Sequence, residues 1–170
     1  MTTPRYVVPR DDAVRAAPAA RAMWRIVRAL DAVPYALLGL PLRVAVATVF
    51  WRSAMVKLAN FDTALALFAD EYRVPLLPPA LAAHLALSIE LAAPVLLVCG
   101  LLTRAAAAVL LGMIAVIEIF VYPQAWPTHI QWAAMLLVLL CRGAGAWSLD
   151  AWLAGRLRRA DPRAPVGEGR

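Results

Sequence analysis

The chain has 170 residues, 63% of them hydrophobic and 16% charged, with a formal net charge of +6 and a mean hydropathy of +0.70. A soluble chain is about 45–50% apolar and about 25% charged, and a domain this small cannot bury so much apolar surface in water. Composition therefore excludes a soluble monomeric domain, a disordered chain and a disulfide scaffold, and leaves an integral membrane protein.

Residues 1–18 carry three prolines and mixed charges with no period, which predicts a loose tail. From Ala19 to Ala32 a helical repeat sets in. Arg21, Arg25 and Arg28 share one face, and Met23, Ile26, Val27 and Leu30 share another. That is a basic amphipathic helix suited to an anionic membrane surface. Its other reading is a helix docked on a partner protein.

Four apolar spans follow, at about Leu40–Leu58, Pro79–Leu102, Arg104–Val121 and Ile130–Trp147. Each is close to the ~20 residues that cross a ~30 Å hydrocarbon core. Pro41 suits the first turn of span one, and Pro94 predicts a kink in span two. Arg43 and Arg52 interrupt the first apolar run, which argues against a cleaved signal peptide and for a retained span. Between spans one and two, Thr63–Phe68 reads as a short interfacial helix. Leu102-Thr103-Arg104 makes spans two and three a hairpin. After span four, Gly143 and Gly145 are stop signals, and Ser148-Leu-Asp150 caps a short amphipathic helix carrying Trp152, Leu153 and Leu157.

The expected fold is an all-α, up-down-up-down membrane four-helix bundle. It divides into a cytoplasmic tail with its interfacial helix (1–37), a four-span domain (38–148) and a basic tail (149–170). Lys and Arg counts orient it. Arg5, Arg10, Arg15, Arg21, Arg25 and Arg28 precede the spans, and Arg142, Arg156, Arg158, Arg159, Arg163 and Arg170 follow or close the last one. Both termini and the Arg104 turn are therefore expected in the cytoplasm. The first and third connections face out, with Tyr122 and Trp126 as interface anchors. The pI of about 10.1 then reflects membrane surface rather than nucleic acid. Cys99 and Cys141 lack any CxxC spacing and read as small buried packing residues.

Ionisable residues inside spans are candidate functional groups. Taking ~1.5 Å per helical residue from the cytoplasmic edge, Arg52 lies ~13 Å deep, Lys57 ~21 Å, Glu90 ~18 Å and Glu118 ~21 Å. These four form a candidate buried charge cluster. Glu90 pairs with Lys57 or Arg52, Glu118 lies near the other, and Arg43 snorkels to headgroups. Three readings compete: pairs that fix helix register, a pocket for a quinone headgroup or another small ligand, and a proton or ion path. His84, His129 and Gln131 lie toward the outer face as candidate pocket residues. Two histidines do not make a haem or metal ligand set, so no metal is expected.

The order Leu42-Arg43-Val44, Lys57-Leu58, Phe61, Glu90, Gly100-Leu-Leu-Thr103-Arg104 and Gly143-Ala-Gly-Ala-Trp-Ser148-Leu149-Asp150 resembles the DoxX family of small bacterial membrane proteins over about residues 38–152. One departure is Ser53-Ala54, where the family often has Gly before the Lys. The resemblance implies four membrane helices in a bacterial inner membrane, with Arg43, Lys57, Glu90 and Asp150 at motif positions. Some members are described as subunits of quinone-linked oxidoreductases or membrane redox complexes. Others accompany peptide-modification systems linked to metal stress, which Trp126-Pro-Thr-His129-Ile-Gln-Trp132 resembles. The leading expectation is an accessory or partner-docking subunit of a membrane redox or stress-response system, with no catalysis of its own. The alternatives are a quinone-binding oxidoreductase subunit and a small transporter. Quinone is the one cofactor weighed. The lipid bilayer is the first partner; soluble or membrane protein partners and a homo-oligomer stay open, and no nucleic acid is expected.

Overall fold

The computed structural model describes residues 18–72 and 74–160. The expected loose tail before Pro18 and the basic residues after Ala160 lie outside the described residues. Among those described there are helices and no strands.

The chain separates into two units, the first ending at Pro34 and the second starting at Tyr35. The first contains α1, Pro18–Asp31. Arg21, Arg25 and Arg28 are exposed on it, and so are the apolar side chains Met23, Ile26, Val27 and Leu30.

In the second unit α2 spans Tyr35–Ala59, and α3 spans Phe61–Leu67, capped by the Asn60 side chain. A wide π-helical turn prolongs α3 over Phe68–Tyr72. Next come α4, Pro79–Cys99, and α5, Thr103–Val116, prolonged by a π turn over Ile117–Val121. A 3₁₀ turn, Pro123–Ala125, leads into α6, Trp126–Arg142, and then α7, Leu149–Ala160. Three of these segments are long and apolar enough to cross a membrane: Tyr35–Ala59, Pro79–Cys99 and Thr103–Val121, of 25, 21 and 19 residues. With ~1.5 Å rise per residue each matches a hydrocarbon core of ~30 Å.

Two boundaries differ from the sequence reading. α2 begins five residues before Leu40, so Pro41 lies inside it rather than in its first turn. The early turn is held by the loop after α6: Tyr35 donates to the Gly143 carbonyl at 2.9 Å. A Cβ on Gly145 would lie 3.4 Å from the Ala36 Cα. α6 starts at Trp126 and stops at Arg142, not Ile130 to Trp147, because Gly143 turns the chain at φ +75. α4 runs helical through Pro94.

α2 packs on α4, α4 on α5, α5 on α6, and α6 back on α2. The core is built from Val46, Ala47 and Phe50 on α2, Ala93 and Leu97 on α4, Ala106, Ala107 and Leu110 on α5, and Leu136 and Leu139 on α6. Alanine at the contacts lets backbones approach closely, which is how helices associate where lipid removes the hydrophobic drive. Outside the ring, Val44, Trp51, Val56, Val95, Ile119 and Leu137 are exposed. An apolar exterior of this kind suits hydrocarbon, not water. Cys99 and Cys141 belong to it: both are exposed, not buried as expected. Apolar neighbours along a membrane helix mark the lipid face as readily as the core.

Candidate functional site

Ser53 and Lys57 stand one turn apart on α2 and so point the same way. Lys57 Nζ donates to Glu90 Oε1 at 2.9 Å, to Glu90 Oε2 at 2.8 Å and to Ser53 Oγ at 2.9 Å. Ser53 donates in turn to Glu90 Oε1 at 3.0 Å. Glu90, in the middle of α4, is 2% exposed. A buried carboxylate is stable only when its charge is paired and its oxygens are bonded, and here both hold.

This triad is not sealed. It lies on the wall of a cavity of about 450 Å³. Phe68 and Tyr72 from the α3 π turn form one side and Ala82 and Ala86 of α4 another, with Met113 of α5 and Trp132 of α6 among the remaining lining. Small side chains create the space. A Cβ added to Gly112, which also lines the cavity, would meet nothing within 4 Å. The volume falls in the ~300–1,000 Å³ range of small-molecule sites, and the design, mostly apolar with a few convergent polar groups, is theirs too.

Tyr122, also in the lining, donates to Glu71 at 2.7 Å and meets the Tyr72 ring edge-on at 5.5 Å. Phe68 packs on Tyr72 at 4.9 Å. Chiefly through its bond to the Glu71 carboxylate, the Tyr122 phenol is pushed above its ordinary value of 10.0.

The expected cluster is divided. Lys57 and Glu90 meet, whereas Arg52 is exposed and outside that contact. Glu118 faces His129 instead, with Oε2 2.5 Å from Nδ1. Glu118 stands in the first part of the π turn at Ile117–Val121. The early start of α6 places His129 inside the helix, where it is 7% exposed and its ring lies tilted against Trp132 at 5.4 Å. The expected pocket set of His84, His129 and Gln131 does not line the cavity. His84 is exposed, contacts its own helix at Ala80 O and packs on Phe61; Gln131 is exposed. Sequence reasoning treated Ser53 only as a departure from a family pattern, and it passed over Gly112, Phe68 and Tyr72. The i, i+4 relation of Ser53 to Lys57 was the one available signal.

The other two motif residues act at the far end of α4. Arg43 is 1% exposed, so it does not snorkel. Its guanidinium donates to the carbonyls of Trp147 at 2.6 Å, Leu97 at 3.4 Å and Gly39 at 3.4 Å. Gly100 closes α4 at φ +67 with a Schellman pair, Leu101 N to Leu96 O at 2.9 Å and Gly100 N to Leu97 O at 3.1 Å. Any Cβ at Gly100 would collide with Arg43 and Ser148. Asp150 accepts from Leu102 N at 2.8 Å and Thr103 N at 3.2 Å, capping α5 from a distant segment. Ser148 Oγ accepts from Ala151 N at 3.2 Å and caps α7.

The family model described as DoxX matches residues 38–123, about half of the chain. No curated protein and no solved structure matches it.

Proposed function

The chain belongs to the DoxX family, and on that premise we propose that it is an accessory subunit of a bacterial inner-membrane redox or stress-response system, holding a lipid-soluble ligand of the quinone class. In this reading α6 is a fourth span, the helices run up and down in turn, and both termini are cytoplasmic. α1 lies on the membrane surface through Arg21, Arg25 and Arg28, covering its exposed apolar face.

The observation that carries the ligand reading is the donor–acceptor pair Lys57–Glu90 on the wall of an apolar cavity. The pair is neutral as a whole, which suits a neutral head rather than an ion. Its ammonium can donate to a carbonyl, and its carboxylate can accept from a hydroxyl. One site therefore fits both a quinone and a quinol head, while Phe68, Tyr72 and Trp132 suit a planar ring. A bound quinone supplies two-electron, two-proton chemistry. Lys57 and Glu90 contribute orientation and a polar environment for its oxygens.

The test is titration of the purified protein with decylubiquinone, followed by tryptophan fluorescence through Trp132. Saturable quenching is expected. Gly112→Phe fills the cavity without an initial clash and should abolish it. Lys57→Met should weaken it about tenfold or more, the equivalent of one charged hydrogen bond. Equal quenching of wild type and Gly112→Phe would remove the cavity from the account and leave Lys57–Glu90 as a purely structural pair.

A further inference from the structure

At the end of α4 and α5 away from Tyr122, a shallow groove of about 720 Å³ runs between the α4–α5 turn, the end of α6 and the start of α7. Two exposed arginines flank it: Arg104, the second residue of α5, and Arg142, the last of α6. Both are held in place. Arg104 Nη2 donates to the Cys141 carbonyl at 3.3 Å, and the Arg142 guanidinium lies 5.2 Å from the Tyr35 ring centroid. Between them Gly143 turns at φ +75, and a Cβ there would lie 3.5 Å from Arg104 Nε.

The carboxylate in the lining is not in an ion pair with either arginine. Asp150 is committed to the backbone N–H groups of Leu102 and Thr103, and among the described residues neither arginine is ion-paired. A third observation is independent of charge. Thr103 lines the same groove, is 0% exposed, and its hydroxyl has no hydrogen-bond partner among the described residues. Buried hydroxyls are normally satisfied. Two restrained guanidinium groups flank one concavity, and a buried hydroxyl without a partner lies beneath it; guanidinium pairs of this kind recognise phosphate.

We propose that this groove binds a phosphate group, supplied either by the head of an anionic phospholipid or by free phosphate. The groove lies where membrane-crossing helices end, the level at which lipid phosphates lie. Arginine near such a surface strengthens anionic binding about fivefold per residue.

The full-length protein, extracted in neutral detergent and washed, is tested with phosphatidylglycerol, phosphatidylcholine and inorganic phosphate, reading thermal stability and retained lipid. Wild type should retain and be stabilised by phosphatidylglycerol over phosphatidylcholine. Arg104→Gln and Arg142→Gln should each lower that retention about fivefold and the double variant about twenty-five-fold. Arg52→Gln, an exposed arginine outside the groove, should leave it unchanged. Stabilisation by phosphatidylglycerol alone assigns the site to lipid; equal, arginine-dependent stabilisation by inorganic phosphate assigns it to free anion. Unchanged elution of the single variants and of Arg104→Lys/Arg142→Lys shows that the fold survives. Retention of phosphatidylglycerol and response to phosphate that ignore both arginines would overturn the proposal.

Discussion

Glu90→Gln is the most informative single change. The carboxylate accepts two bonds from Lys57, at 2.8 and 2.9 Å, and one from Ser53 at 3.0 Å, with its side chain 3% exposed. Glutamine keeps one acceptor oxygen, sets an N–H₂ group against the ammonium, and leaves Lys57 without its counter-charge. Breaking a buried pair from one side costs about 3–5 kcal/mol. The Lys57 side chain is 16% exposed and borders the cavity, so it can gain some hydration. That places the expected loss near the lower end, about 3 kcal/mol, or a fall in Tm of about 6–12 °C for a chain of this size. The assay is thermal unfolding in a mild detergent. Replacing both partners, Lys57→Met with Glu90→Leu, should recover most of the loss, because a buried pair is worth little against apolar isosteres. The resulting coupling between the two sites should exceed about 1 kcal/mol. If Glu90→Gln melts within about 2 °C of wild type, the pair does not carry the stability argued for it.

Three further outcomes follow from the geometry. Gly100→Ala should cost about 2–4 kcal/mol, from a non-glycine residue at positive φ plus overlap with Arg43, and should show as a lowered melting point and a smaller monodisperse fraction. Asp150→Asn weakens the cap on α5 and should cost about 1–2 kcal/mol in the same assay. Tyr122 has its phenol raised above 10.0 in the folded protein, so the Glu71 bond stabilises fully below that pH and the contribution is lost as pH rises through the folded value. Ultraviolet titration should find a late-titrating tyrosine component that shrinks in Tyr122→Phe; an unchanged curve would count against the bond.

The membrane class was legible because it rests on bulk composition, and the long helices were legible because each must cover the same thickness of hydrocarbon. Their ends were less so. Gly143 was visible as a stop signal, yet the apolar Ala144, Ala146 and Trp147 beyond it mimic a continuing span. The charge cluster shows the limit of depth as a guide. Glu90 and Lys57 were matched by depth and do meet. Glu118 shares that depth but meets His129 instead, from within a π turn that no local propensity signals. Arg43 looked like a snorkelling residue because its partners are backbone carbonyls on remote segments, Leu97 and Trp147, which leave no mark in side-chain patterning. The cavity was invisible for a related reason: it is made by what Ala82, Ala86 and Gly112 lack.

Native mass spectrometry of the protein, gently extracted from its own membrane, tests the central claim most directly. The account predicts a bound neutral species of quinone mass on the wild type, absent from Gly112→Phe prepared in the same way. Phospholipid as the sole adduct on both proteins would contradict it.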